Sequence, residues 1–172
     1  MRRRTLLGLL SASAASWPMR LAGQPRDLPT VGFLSALSAA PSRYLVTAFQ
    51  QGLRETGFVE GQSVRIEFRW AEHRYDQLPG MAADLVRRGV AVIAATGGVP
   101  SAQAAKAATT AIPVVFTIGD DPVRHGLTRS FNDPGGNVTG VTLLAVALDP
   151  KRLELVRELS PAASMVGMIM GQ

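Results

Sequence analysis

The stretch VIAATGGVPSAQAAK, Val92 to Lys106, decides the fold of this chain. A run of apolar and small residues without a charge leads into Gly97-Gly98. A proline and an alanine-rich stretch follow. The run predicts a buried strand, the glycine pair a tight turn, and the remainder a helix. Joints of this kind often cradle nucleotide phosphates, so the question is what this one holds.

Outward from the joint the same alternation repeats. TVGFLS (Thr30–Ser35) predicts a first buried strand. Ser42 to Thr56 predicts a helix with Leu45, Val46, Phe49 and Leu53 on one face and Gly57 as its C-terminal stop. In SVRIEFRW, Val64, Ile66, Phe68 and Trp70 alternate with Arg65, Glu67 and Arg69, the pattern of a half-covered strand at a sheet edge. Asp76 is expected to cap the next helix, with Pro79 in its first turn. Leu78, Met81, Ala82, Leu85 and Val86 give that helix its buried face, and Gly89 ends it. VAVIAAT and IPVVFTIG are apolar throughout, which predicts strands covered on both faces, with a helix from Pro100 to Thr110 between them. A loop rich in Asp, Pro, Gly and Asn spans Asp120 to Asn137. VTGVTL is a fifth strand, Leu148 to Leu159 a further helix, and SMVGMIM the start of a sixth strand.

Strands alternating with helices define an α/β class with a doubly wound parallel sheet. Right-handed crossovers place the strand-to-helix turns at one edge of it, where ligands of such sheets bind. The turns after Leu34, Thr96 and Ile118 should meet there. The middle turn is not a nucleotide loop. GGVPSA lacks the G-x-G-x-x-G spacing, and Lys106 stands too far from Gly98 for a Walker loop. What remains is a glycine pair that lets backbone approach a ligand, then Pro100 where its missing N–H costs nothing. The free N–H groups of the first helical turn, that of Ser101 included, attract a carboxylate or another anion. A tight turn that only packs well fits these residues equally.

Apolar residues make up 47% of the 172-residue chain and charged ones 18%, which excludes a disordered chain. No run reaches the roughly 18 apolar residues of a membrane helix. MRRRTLLGLLSASAASW has a basic start, an apolar stretch from Leu6 to Trp17, then small residues: an export signal, taken as residues 1–24. Arg3-Arg4-Thr5-Leu6-Leu7 fits the twin-arginine pattern, and Arg20 suits that route. Leu21-Ala22-Gly23 places the cut only loosely. Four of the 18 basic residues (Arg2, Arg3, Arg4 and Arg20) lie in this segment and none of the 13 acids does. The rest therefore carries 14 basic against 13 acidic residues, a net of +1. The basic charge belongs to the leader and is no nucleic-acid footprint. There is no cysteine, hence no disulfide and no lipidated cysteine.

Catalysis is hard to build from these residues. No G-x-S-x-G elbow occurs, and His73 and His125 both fall in polar, loop-like surroundings. Asp120-Asp121 offers no cluster of further metal ligands, so neither a metal nor a cofactor is expected. Asp120 reads as a rim residue able to take a substrate ammonium, and Asp121-Pro122 as turn chemistry and a helix start. Asn137-Val138-Thr139 matches a glycosylation acceptor, but with a bacterial-type leader it is expected only to close a turn.

Three blocks, GLRETGFVEGQSVRIEFRWAEHRYDQLP, AATGGVPSAQAAKAATTAIPVVFTIGDDPV and PGGNVTGV, carry a family resemblance from about Pro29 onward. The chain resembles the bacterial ABC-transporter substrate-binding proteins whose better understood relatives take up aromatic amino acids. That resemblance implies a type I periplasmic binding protein: two hinged, doubly wound lobes closing on a solute and delivering it to a membrane permease. It assigns residues 29–147 to the N-terminal lobe and 148–172 to the start of the second. The positions matching the first lobe's cleft turns are Ser35 and Ala36, then Thr96, Gly97 and Gly98, then Gly119 and Asp120. Their hydroxyl and backbone groups would hold an amino acid's polar end. The family chain is about twice as long, so weak or absent solute binding is expected of this polypeptide alone. An exported enzyme of similar topology would need a nucleophile, base or cofactor loop that these residues do not supply. The effector domain of a transcription regulator would need a DNA-binding segment where the leader stands.

Overall fold

The computed structural model describes residues 28–143, 148–162 and 165. The leader and the sixth strand lie outside them, apart from Met165. Five strands form one parallel sheet: β1 (Thr30–Ser35), β2 (Arg65–Trp70), β3 (Val92–Thr96), β4 (Val114–Ile118) and β5 (Val138–Thr142). Their order is β2-β1-β3-β4-β5. The expected α/β class and parallel sheet are therefore present, and β2 is an edge strand as its alternation predicts.

The helices follow from the crossovers. α1 (Arg43–Glu55) links β1 to β2, and α2 (Leu78–Arg87) links β2 to β3. α3 (Val99–Ala108) links β3 to β4, and α4 (Asp149–Leu159) follows β5. α2 and α3 close one face of the sheet. Leu78, Ala82 and Leu85 of α2, with Ala102 and Ala105 of α3, are buried together with Leu34, Ile93, Ala95, Val114, Phe116 and Ile118. Each large side chain so buried contributes on the order of 1.5–3 kcal/mol. Gly32, in β1, is where Leu85 sits: a Cβ there would meet its side chain at 3.0 Å.

The other face is built around Phe33. Val31, Phe33, Val64, Ile66 and Ala94 form a buried cluster against which Phe49 and Leu53 of α1 pack. The polar side of β2 is tied to α2, because the Arg69 guanidinium reaches Asp84 at 2.6 Å and Glu67 at 3.2 Å.

Three expectations need correction. β4 was expected to be covered on both faces, yet Val115 is 42% exposed and Thr117 is exposed too. The core on the α1 side extends from β2 only as far as β3, and no described helix covers β4 and β5 on that side. Val141 of β5 and Leu143 beyond it are exposed as well. Asp76 does not cap α2. It lies in a short 3₁₀ turn, Tyr75–Gln77, and Gln77 takes the cap position without a side-chain bond, while Pro79 does sit in the first turn. No helix starts at Pro122. Residues 122–127 are turns closed by bonds such as Leu127 N–H to the Pro122 carbonyl at 2.8 Å.

Candidate functional site

All five strands run the same way, so their carboxyl ends share one rim. The register fixes who stands beside whom there: Ser35 pairs with Trp70 on one side and Thr96 on the other, and Ile118 pairs with Thr142. The sequence-predicted residues Ser35, Ala36, Thr96, Gly97, Gly98, Gly119 and Asp120 all fall on this rim, at the ends of β1, β3 and β4. Ser101 stands just behind it in α3.

The turns after β1 and β3 touch through Gly97. Its φ is +78°, and a Cβ would lie 2.9 Å from Ser35 Oγ and 3.0 Å from the Ala36 nitrogen. Glycine is thus required twice, by conformation and by space. Gly98 has φ +112° and stands at the N-cap of α3, but a Cβ there would meet only the Pro100 ring, at 3.6 Å. Pro100 occupies the first turn, and α3 has no side-chain cap. Its leading N–H groups are thus left for another partner.

The hydroxyls at this joint are unusual. Ser35 is fully buried, and its Oγ accepts the Leu37 N–H at 3.3 Å. Thr96 Oγ1 and Ser101 Oγ are buried and have no hydrogen-bond partner. Leaving a buried hydroxyl unpaired costs on the order of 1–3 kcal/mol.

The turn after β2 belongs to the same assembly, which sequence reasoning missed. Glu72 and His73 are consecutive non-glycine residues in the left-handed region, at φ 51° and 61°. They stay there because the turn is bonded to β1 and its turn: Ala71 N–H to the Ser35 carbonyl and His73 N–H to the Ala36 carbonyl, each at 2.8 Å. The Glu72 carboxylate accepts the Ala39 N–H at 3.2 Å. Hydrogen bonds from Ser38 and then from Ala39 hold that carboxyl below its ordinary range.

Asp120 is not an open carboxylate. His125 Nε2 lies 2.5 Å from its Oδ2, and its Oδ1 accepts the Asp121 N–H at 2.7 Å. These two bonds, His125 first, hold the Asp120 carboxyl below the usual carboxylate range. The Thr142 hydroxyl donates to the Asp120 carbonyl at 2.6 Å, joining β5 to the same turn. Asp121 provides the expected turn chemistry, its Oδ1 accepting the Val123 N–H at 2.8 Å. Lys106, set aside as a phosphate ligand, braces this loop. Its ammonium donates to the Gly126 and Leu127 carbonyls, the latter at 3.1 Å, and Gln103 donates to the His125 carbonyl at 3.4 Å. Asn137 ties the approach to β4 by donating to the Thr109 and Ile112 carbonyls.

Residues 31–172 match the family described as ABC transporter substrate binding protein. The chain belongs to that family. A tyrosine-binding protein of Clostridioides difficile is 38% identical over 121 residues, which are 70% of this chain and 34% of that relative. Among solved structures, an ABC domain from Streptococcus pneumonia in complex with L-Trp superposes with a TM-score of 0.61 at 30% identity. The match covers 67% of this chain and 38% of the other. A conserved domain protein from Vibrio cholerae superposes with a TM-score of 0.68 at 26% identity, over 77% and 44% of the two chains. The chain thus spans about a third of the length of the curated relative it matches.

Two outcomes follow from the rim geometry. Gly97→Ala should destabilise the fold by about 2 kcal/mol or more, and Gly98→Ala by about 1, because only the first adds a clash to left-handed strain; urea unfolding of the two variants measures the order. Asp120 has a folded-state pKa below its unfolded one, so its contribution is present above the unfolded value and is lost as pH falls through the folded one. Wild type should therefore exceed Asp120→Asn in melting temperature near neutral pH. The gap should start to shrink below the ordinary carboxylate pKa and close as pH falls below the lowered folded-state value.

Proposed function

We propose that this chain contributes the first lobe of an extracytoplasmic solute receptor serving an ABC importer, and that the solute is an amino acid or a similar small molecule. In this reading residues 1–24 are a twin-arginine-type export signal, 29–147 the lobe, and 148–172 the opening of a second lobe. The receptor hands its solute to a membrane permease and performs no chemistry on it. Nucleic acid is not a partner.

The observation that carries the reading is the joint after β3. Uncommitted N–H groups at the start of α3, the close-approach Gly97, the left-handed Gly98 and the unpartnered Thr96 hydroxyl all converge there. That combination suits a carboxylate approaching the backbone at a helix N-terminus. Ser35 and Ala36 form the neighbouring wall. Gly119 and Asp120 form the next, where a solute ammonium would share or displace the bond from His125. The relatives support the solute class, since one is a tyrosine-binding protein and another was solved with L-Trp.

One lobe offers one wall, so L-tryptophan and L-tyrosine should bind residues 1–172 weakly. Their amide-resonance perturbations should centre on residues 35–36, 96–101 and 119–120. Thr96→Val should weaken that binding roughly tenfold while leaving stability unchanged or slightly raised, because the hydroxyl it removes is unpaired in the free protein. Micromolar affinity in calorimetry would contradict the one-wall account, and an absence of perturbations at those rim residues would contradict the site. Export is tested separately: residues 1–50 fused to a folded reporter should carry it across the bacterial inner membrane, and Arg3→Lys with Arg4→Lys should stop it.

A further inference from the structure

A second concavity lies at the β2 edge of the sheet, away from the Gly-Gly joint. Its volume is about 530 Å³, within the range of small-molecule sites. One wall is the first half of α1, with Arg43, Val46 and Thr47; the other is β2, with Phe68 and Trp70. Ala39 and Ala40 also line it.

The aromatic wall is preformed. Phe68 and Trp70 are stacked, with ring centroids 6.2 Å apart and planes 6° from parallel. Buried Phe33 fixes both from beneath, at 5.2 and 5.3 Å. Both rings remain partly exposed on an edge strand. Ala39 is held as well, since the Glu72 carboxylate accepts its N–H from a turn in left-handed conformation. That acid is committed to the wall. Arg43, on the opposite side, is exposed and takes part in none of the ion pairs among the described residues.

An unpaired guanidinium beside two parallel rings and small apolar residues has a definite complement. A planar ring matches the faces of Phe68 and Trp70, and a carboxylate matches the planar fork of Arg43. We infer that the cleft between α1 and β2 is a binding site for a small aromatic carboxylate, its ring against Phe68 and Trp70 and its carboxylate on Arg43. The site is separate from the joint after β3. Trp70 pairs with Ser35 and Ser35 with Thr96, so β1 stands between the two.

Titrating the 172-residue chain with hydrocinnamate, followed in amide proton–nitrogen spectra, tests this. Saturable shifts should appear at the Trp70 indole N–H and at the amides of Ala40, Arg43 and Thr47. Phenethylamine, with the same ring and the opposite charge, should bind at least about tenfold more weakly. Arg43→Gln should cost a similar factor with the rest of the spectrum unchanged, Arg43→Lys should recover part of it, and Arg54→Gln, on the same helix, should behave as wild type. Shifts confined to residues 96–101 and 119–120 would assign the ligand to the rim and overturn the inference. Equal response to acid and amine, an unaltered affinity in Arg43→Gln, or no saturable response would overturn it too.

Discussion

The rim depends on one close approach, that of Gly97 to Ser35 and Ala36. With no Cβ in the way, the turn after β3 lies directly against the turn after β1. The Ala36 carbonyl is in turn held by the His73 N–H, so the turn after β2 joins the same contact. Three chain reversals from distant parts of the sequence therefore meet around two small buried residues. A larger residue at position 36 or 97 would push apart the very strand ends whose backbone groups face outward.

Much of this was legible in the sequence, for identifiable reasons. The strict alternation from Val64 to Trp70 announced an edge strand, because a half-covered strand must alternate. The glycine pair marked the joint because few other residues take its backbone angles. The coverage of β4 was misread. Val115 looks like a core residue in a run of apolar neighbours, but whether a face is covered depends on which helix lies over it, and local periodicity does not carry that information. The same holds for the polar braces. Lys106 and Leu127, or Asp120 and Thr142, lie some twenty residues apart, and such single contacts leave no periodic trace. Among these contacts, the spacing Asp120 to His125 within one short loop was the nearest to a readable signal.

The two faces of the sheet also differ in character. The α2–α3 face is buried in one continuous apolar cluster that includes Leu34 and Ile118. On the α1 face an aromatic cluster centred on Phe33 gives way, beyond β3, to exposed Val115 and Val141. Side chains of that type cost free energy while they face water. Among the described residues, the sheet is therefore covered on one side and partly exposed on the other.

The bracing of the 120–128 loop has a consequence for any molecule that would rest on this rim. Lys106 and Gln103 fasten that loop to α3, Thr142 fastens it to β5, and Gly97 fastens the start of α3 to β1. These contacts tie the turns of the rim to one another. A guest resting there would find these turns already fastened, which lowers the ordering cost of docking.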